Sequence, residues 1–367
     1  PLGHQIPGPL EILLPAGISF YTFQTMAYTI DVYRGTLKAE RDFLLMATFV
    51  AYFPQLVAGP IERAADLVPQ LRERQPFQPR LFEQGLRLLL WGLVKKTVFS
   101  DRLAFAVFPL FQDPASGAGP EFLIHSLTML AVIYLDFSAY TDMARGSSLL
   151  FGIRLTRNFR FPLAAASVAD FWQRWHITMS TWVRDYLYRP LGGFRPRDPW
   201  HHARITLFTM ALVGLWHGAQ WHYVVWGLMC GVSLGGYYLL AIHVLRPHRR
   251  HALLSGTPYL VLAWLLTMGV HAINTAAFCA PDLPRTLAFI RGILTWPAGD
   301  VDWSTTLIAL AALGLLCLWH LLQDRRDWEA ALDQRSPRIR ALLYVTLFAV
   351  AFLGAVRGTE DFIYFQF

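Results

Sequence analysis

The second half of the chain alternates long apolar runs with short, arginine-rich connections. A helix crossing a hydrocarbon core of ~30 Å needs roughly 20 mostly apolar residues. Runs near 221–242, 257–277, 303–322 and 340–356 meet that need and predict membrane spans. The run 121–135 predicts another, and a helix rising from Ala203 to His217 precedes the span at 221. The first half is less uniform. Residues 10–33 are apolar and aromatic but carry Ser19, Gln24 and Asp31, which predicts a helix facing protein rather than lipid. Residues 42–58 form a second apolar segment, and Pro54, Gly59 and Pro60 break or bend its end. Residues 81–111 mix Arg87, Lys95, Lys96 and Arg102 into an apolar pattern, which suits a helix lying in the interface or packed inside a bundle.

Two stretches break the lipid-facing pattern. In DFSAYTDMARG, the residues Asp136, Ser138, Tyr140, Thr141 and Asp142 crowd the end of an unbroken apolar run. Ionisable groups at that depth mark a functional lining, or else a helix end capped by its own hydroxyls. The stretch DFWQRWHITMSTWVRDYLYRPLGG is too aromatic for a loop and too charged for lipid. At helical spacing Trp172, Trp175, Met179, Trp182 and Tyr186 form an apolar stripe. Trp172, His176, Ser180 and Arg184, four residues apart, share one face. A re-entrant or interfacial segment fits, since such backbone survives at depth only within protein or a wet cavity.

Composition agrees with a membrane. Hydrophobic residues make up 54% of the chain and charged residues 16%, against about a quarter charged in soluble chains. Mean hydropathy is +0.36. The expected class is therefore an all-α polytopic bundle, a single membrane-embedded domain over 1–367. The net charge of +7 comes from basic loops, as the positive-inside bias expects. It does not call for nucleic acid. The same bias puts the arginine loops in the cytoplasm and the C-terminus outside. Cys230, Cys279 and Cys317 lie far apart with no CxxC, which implies neither disulfides nor a zinc knuckle.

Most of the twelve histidines sit in loops or at the ends of apolar runs. His217 differs. It follows the run ITLFTMALVGLW, with Gly214 one turn earlier and Gly218 beside it, so a substrate has room to reach the ring. A neutral imidazole in a dry pocket suits a general base, although a core histidine bonded to a neighbouring helix has the same sequence. His176 is its natural partner. The candidate catalytic residues are thus His217 and His176. The candidate substrate-binding residues are Trp172, Arg174, Trp175, Ser180, Arg184, Asp136 and Trp216. Metal chemistry is not expected, because His217 and His222 are five apart and diverge on a helix. The one stretch with GxSxG spacing, GVSLG at 231–235, lies inside the apolar run 221–242 and not at a strand-to-helix elbow, so a Ser-His-Asp hydrolase is not expected.

The stretches GISFYTFQTMAYTIDVYRG, FPQLVAGPIER, DFSAYTDMARG, DFWQRWHITMSTWVRDYLYRPLGG, GLWHGAQWHYVVWG and FIYFQF resemble the membrane-bound O-acyltransferase (MBOAT) family. Within it they look like the bacterial alginate O-acetylase branch. The resemblance implies a ring of tilted helices around a funnel, with the family's active-site histidine at His217 and a second polar position at His176. It implies O-acetylation of an exported polysaccharide such as alginate in the cell inner membrane. The donor would be acetyl-CoA or another acyl thioester, with no tightly bound cofactor. Membrane lipid, the polysaccharide and a periplasmic acetyl-transfer partner protein would be its partners. The family carries further helices ahead of the GISF stretch, so a chain starting at Pro1 is expected to be N-terminally incomplete. D-alanyl transfer to a cell-wall polymer is the nearer rival. A polysaccharide or lipid transporter is the non-enzymatic one, but the two related halves it calls for are not found.

Overall fold

The computed structural model describes residues 17–193, 198–241, 256–324 and 328–354. They are helical, and no strand occurs among them. The FIYFQF stretch, the basic loop HVLRPHRRH and residues 10–16 lie outside the described residues.

Helix α1 (Ile18–Tyr33) is followed by α2 (Phe43–Val50) and α3 (Ala64–Arg72). The second apolar segment is helical for only eight residues. Asp42 starts it by accepting from the amides of Leu44 and Leu45. Beyond Val50 the chain turns tightly: a Cβ on Gly59 would lie 2.4 Å from the Pro54 carbonyl oxygen. Proline and glycine thus end the helix earlier than the apolar run alone suggests.

Helix α4 (Pro79–Val94) leads through a wide π-helical turn, Lys95–Ser100, into α5 (Asp101–Val107) and the short α6 (Pro109–Gln112). Its partner is α7 (Glu121–Leu150), which runs unbroken for 30 residues. The most apolar stretch of α7 is 78% buried, which makes it the central post of the fold. Asp136 is therefore mid-helix. The helix end sketched by the polar cluster does not exist, because cations from the π turn meet the acids. Lys96 Nζ lies 2.8 Å from Asp136 and 2.9 Å from Asp101. Lys95 Nζ bonds Ser138 at 2.8 Å and Asp142 at 2.7 Å. Paired, these charges can stay at depth, and the helix continues.

Next come α8 (Val168–Arg174), α9 (Ile177–Val183) and a π-helical turn Arg184–Tyr188. Helices α10 (Pro199–His217) and α11 (Trp221–Leu240) form a hairpin. Then α12 (Thr257–Cys279), α13 (Leu283–Thr295), α14 (Trp303–Asp324), α15 (Trp328–Asp333) and α16 (Pro337–Gly354) complete the described chain. Among the described residues, α7, α11, α12, α14 and α16 are long and apolar enough to cross a membrane. Only 6% of the α16 window is buried, so α16 lies at the rim.

Between α10 and α11 the backbones nearly touch. A Cβ on Gly227 would lie 2.4 Å from the Met210 carbonyl oxygen and 3.0 Å from the Gly214 Cα. One on Gly231 would lie 2.8 Å from the Leu207 Cα. Small residues let membrane helices approach this closely. Gly227→Ala is expected to push the hairpin apart and cost ~1–3 kcal/mol, the usual penalty for overpacking. A lowered midpoint of heat-induced aggregation in detergent checks it; an unchanged midpoint would mean the hairpin tolerates the methyl.

Candidate active site

The expected row of Trp172, His176, Ser180 and Arg184 does not lie along one helix. The chain breaks between α8 and α9. Trp175 is extended, and His176 takes the left-handed conformation with φ 42° and ψ 56°. A non-glycine residue there costs ~1–3 kcal/mol and persists only where its surroundings hold it. Here they do. The Ile177 amide donates to the Asn158 carbonyl at 2.8 Å, and the Arg160 amide donates to the Arg174 carbonyl at 2.9 Å. The Ser180 amide donates to the His176 carbonyl at 2.8 Å.

The kink turns the His176 ring inward among aromatics. Phe137 meets it edge-on at 4.8 Å, and Phe20 stacks at 6.5 Å. Its Nδ1 lies 3.1 Å from Asn158 Oδ1. Its Nε2 is buried with no hydrogen-bond partner among the described residues.

His217 is the last residue of α10. The helix begins at Pro199 rather than Ala203, capped by Asp198, whose carboxylate accepts from the His201 amide. His217 thus ends the helix four residues before α11 starts. Its ring is half-buried in an aromatic cage. Trp226 and Phe278 stand edge-on at 5.0 and 5.1 Å, and Trp216 packs at 4.5 Å. A Cβ on Gly218 would strike the Tyr223 ring at 2.6 Å, so glycine is what lets the cage close at that turn.

Both histidines line one cavity of about 1360 Å³, larger than the ~300–1,000 Å³ of ordinary ligand pockets. Residues of α7, α8, α9, α10, α11 and α12 form its wall. Arg184 and Arg189, both exposed, line it too. Most of the wall is apolar and aromatic. Five residues of the wall each carry one buried polar atom with no partner among the described residues: Trp172 (Nε1), His176 (Nε2), Thr209 (Oγ1), His271 (Nε2) and Asn274 (Nδ2). Buried polar groups are nearly always hydrogen-bonded, so these five residues are exceptions in the wall of one cavity.

Residues 36–268 match the profile of MBOAT, the membrane-bound O-acyltransferase family. The chain belongs to the membrane-bound O-acyltransferase family. It is 33% identical to a probable alginate O-acetylase AlgI of Pseudomonas putida, over 97% of this chain and 76% of that protein. It is 40% identical to the probable alginate O-acetylase AlgI of Pseudomonas aeruginosa, over 90% of this chain and 62% of that protein. A peptidoglycan O-acetyltransferase of Helicobacter pylori is 34% identical over 78% of this chain and 58% of its own length. The chain therefore spans from just over half to three quarters of the length of these relatives.

In this MBOAT chain the cavity gathers most of the residues singled out from sequence. His176, His217, Trp172, Trp175, Ser180, Arg184, Asp136 and Trp216 all line it. Arg174 does not. It is drawn away between Asp170 at 2.7 Å and Asp324 at 2.6 Å, where it ties α8 to the end of α14. Ser180 reaches the cavity, but its hydroxyl donates to the Trp175 carbonyl at 3.0 Å and so braces the kink. Arg184 is paired with its neighbour Asp185 at 2.8 Å and stays half exposed.

Sequence reasoning passed over His271, Asn274 and Thr209. His271 stacks on Phe171 at 3.6 Å, and its position near the end of an apolar run hid its place in the cavity wall. The signal was there: His271, Asn274 and Thr275 are three and four apart, one polar face on an otherwise apolar helix. Asn158 was also passed over, as a lone amide among loop arginines.

Proposed function

We propose that this chain transfers an acetyl group from a thioester donor to hydroxyls of an exported polysaccharide at the cell inner membrane. The observation that carries the reading is the large, mostly apolar cavity whose wall holds both histidines. Support for acetyl transfer comes from relatives named as O-acetylases over most of this chain.

In this reading the acceptor hydroxyl attacks the thioester carbonyl while His217 takes its proton. The C–S bond then breaks, the ester stays on the acceptor, and the proton passes to the departing thiolate. His176 orients the acceptor. Arg184 and Arg189, against the one carboxylate of Asp185, leave this end of the cavity net positive, which favours an anionic donor such as acetyl-CoA. A periplasmic acetyl-transfer protein that receives or uses the acetyl group completes the expected set of partners.

The test supplies membrane vesicles carrying the chain with labelled acetyl-CoA and a polysaccharide acceptor. Label in base-labile ester linkage to the polymer is expected. Hydrolysis of the donor with no label on any hydroxyl acceptor would discard the reading, and label only from a D-alanyl donor would move it to the rival branch.

A further inference from the structure

The hydrogen bonds around Asn158 decide which nitrogen of His176 carries the proton. Asn158 Oδ1 sits 3.1 Å from the Thr178 backbone amide, 3.0 Å from Thr178 Oγ1 and 3.1 Å from His176 Nδ1. A backbone N–H can only donate, so the side-chain oxygen, not the nitrogen, must face Thr178. The Thr178 hydroxyl is directed as well. It accepts from the Ile61 amide at 3.0 Å, which leaves its own hydrogen for Asn158 Oδ1. An acceptor already facing His176 Nδ1 requires a proton on that nitrogen. In a neutral ring Nε2 then carries the lone pair.

We propose that Asn158 is a positioning residue that holds His176, a residue of the cavity wall, in the Nδ1–H tautomer and so leaves Nε2 as a hydrogen-bond acceptor. The geometry has no slack. His176 is 6% exposed, and its left-handed backbone is bonded to Asn158 through Ile177. One residue therefore sets both the turn and the tautomer. An acceptor nitrogen binds an O–H of the substrate; it cannot stabilise a carbonyl oxygen on which negative charge develops. His176 therefore belongs to the hydroxyl acceptor rather than to the thioester. This last step rests on the acyl-transfer reading, whereas the tautomer does not.

The experiment uses the full chain in native membranes with ¹⁵N-labelled histidine. The His176 signal is identified by its loss in His176→Gln. Solid-state spectra of the wild type are expected to show the proton on Nδ1. A proton on Nε2, or an even mixture, would overturn the proposal whatever the activity. Asn158→Ala is expected to lose the Nδ1–H preference and to lower acetyl transfer by about 10- to 100-fold, as for groups that orient metal-bound histidines. Asn158→Asp keeps an acceptor at the same place. It is expected to restore the tautomer, recover part of the rate and move the acid limb of the pH profile upward. Rate and pH profile unchanged in both variants would overturn the positioning role. A correct tautomer with no acetyl transfer in any form would leave the assignment standing and sink the functional reading instead.

Discussion

Replacing His217 by alanine is expected to lower acetyl transfer by about 10²- to 10⁴-fold, the usual contribution of a positioned general base. The amount of chain in the membrane should stay the same. The ring sits at the end of α10, half-buried, so its loss opens the cavity wall rather than hollowing a core. Trp226 and Phe278 still meet each other at 5.1 Å and keep the cage in shape. His217→Gln preserves bulk and polarity but supplies no basic ring nitrogen, and the same loss is expected of it. Initial rates in vesicles, divided by chain content from immunoblots, measure both. Either variant retaining more than about a tenth of the wild-type rate, below the smallest loss expected of a general base, would falsify the base assignment.

Lys96→Met should be the most destabilising single change outside that cage. The ammonium lies between Asp136 and Asp101 at 2.8 and 2.9 Å, and all three side chains are at most 9% exposed. Removing one partner of a buried pair typically costs ~3–5 kcal/mol, because the stranded charge keeps its desolvation penalty. Here two carboxylates lose their shared cation. Lys95→Met makes the informative contrast. Its partner Asp142 is 20% exposed and retains Arg145 at 3.3 Å, so a smaller loss is expected. Adding Asp136→Asn and Asp101→Asn to Lys96→Met should recover most of the stability, since a neutral cluster carries no stranded charge. Heat-induced aggregation in detergent reads the series. Equal midpoints for Lys95→Met and Lys96→Met would show that burial does not set the cost.

These two sites were legible to different degrees. His217 stood out because an imidazole between a tryptophan and a glycine, at the end of an apolar run, has few bland explanations. Lys96 and Asp136 were each visible as costly charges, but nothing in a linear pattern says that residues forty apart meet. Asp136 therefore read equally well as a capped helix end. The pairing across the α4–α7 seam resolves it. Arg174 shows the opposite failure. Its charge in a basic, cytoplasm-facing stretch made it a candidate for an anionic donor, while Asp324, far along the chain, holds it elsewhere.

The chain's own order of residues determined the membrane class, the family and the helical spans, and it singled out the two candidate histidines. Hydrophobic runs and helix breakers act locally and leave their record in sequence. The kink at His176, the tautomer imposed by Asn158, the mid-helix position of Asp136 and the membership of His271 and Asn274 in the cavity wall were decided only in three dimensions. Each depends on a partner distant in sequence. A buried polar group is defined by what it meets, which no single segment contains.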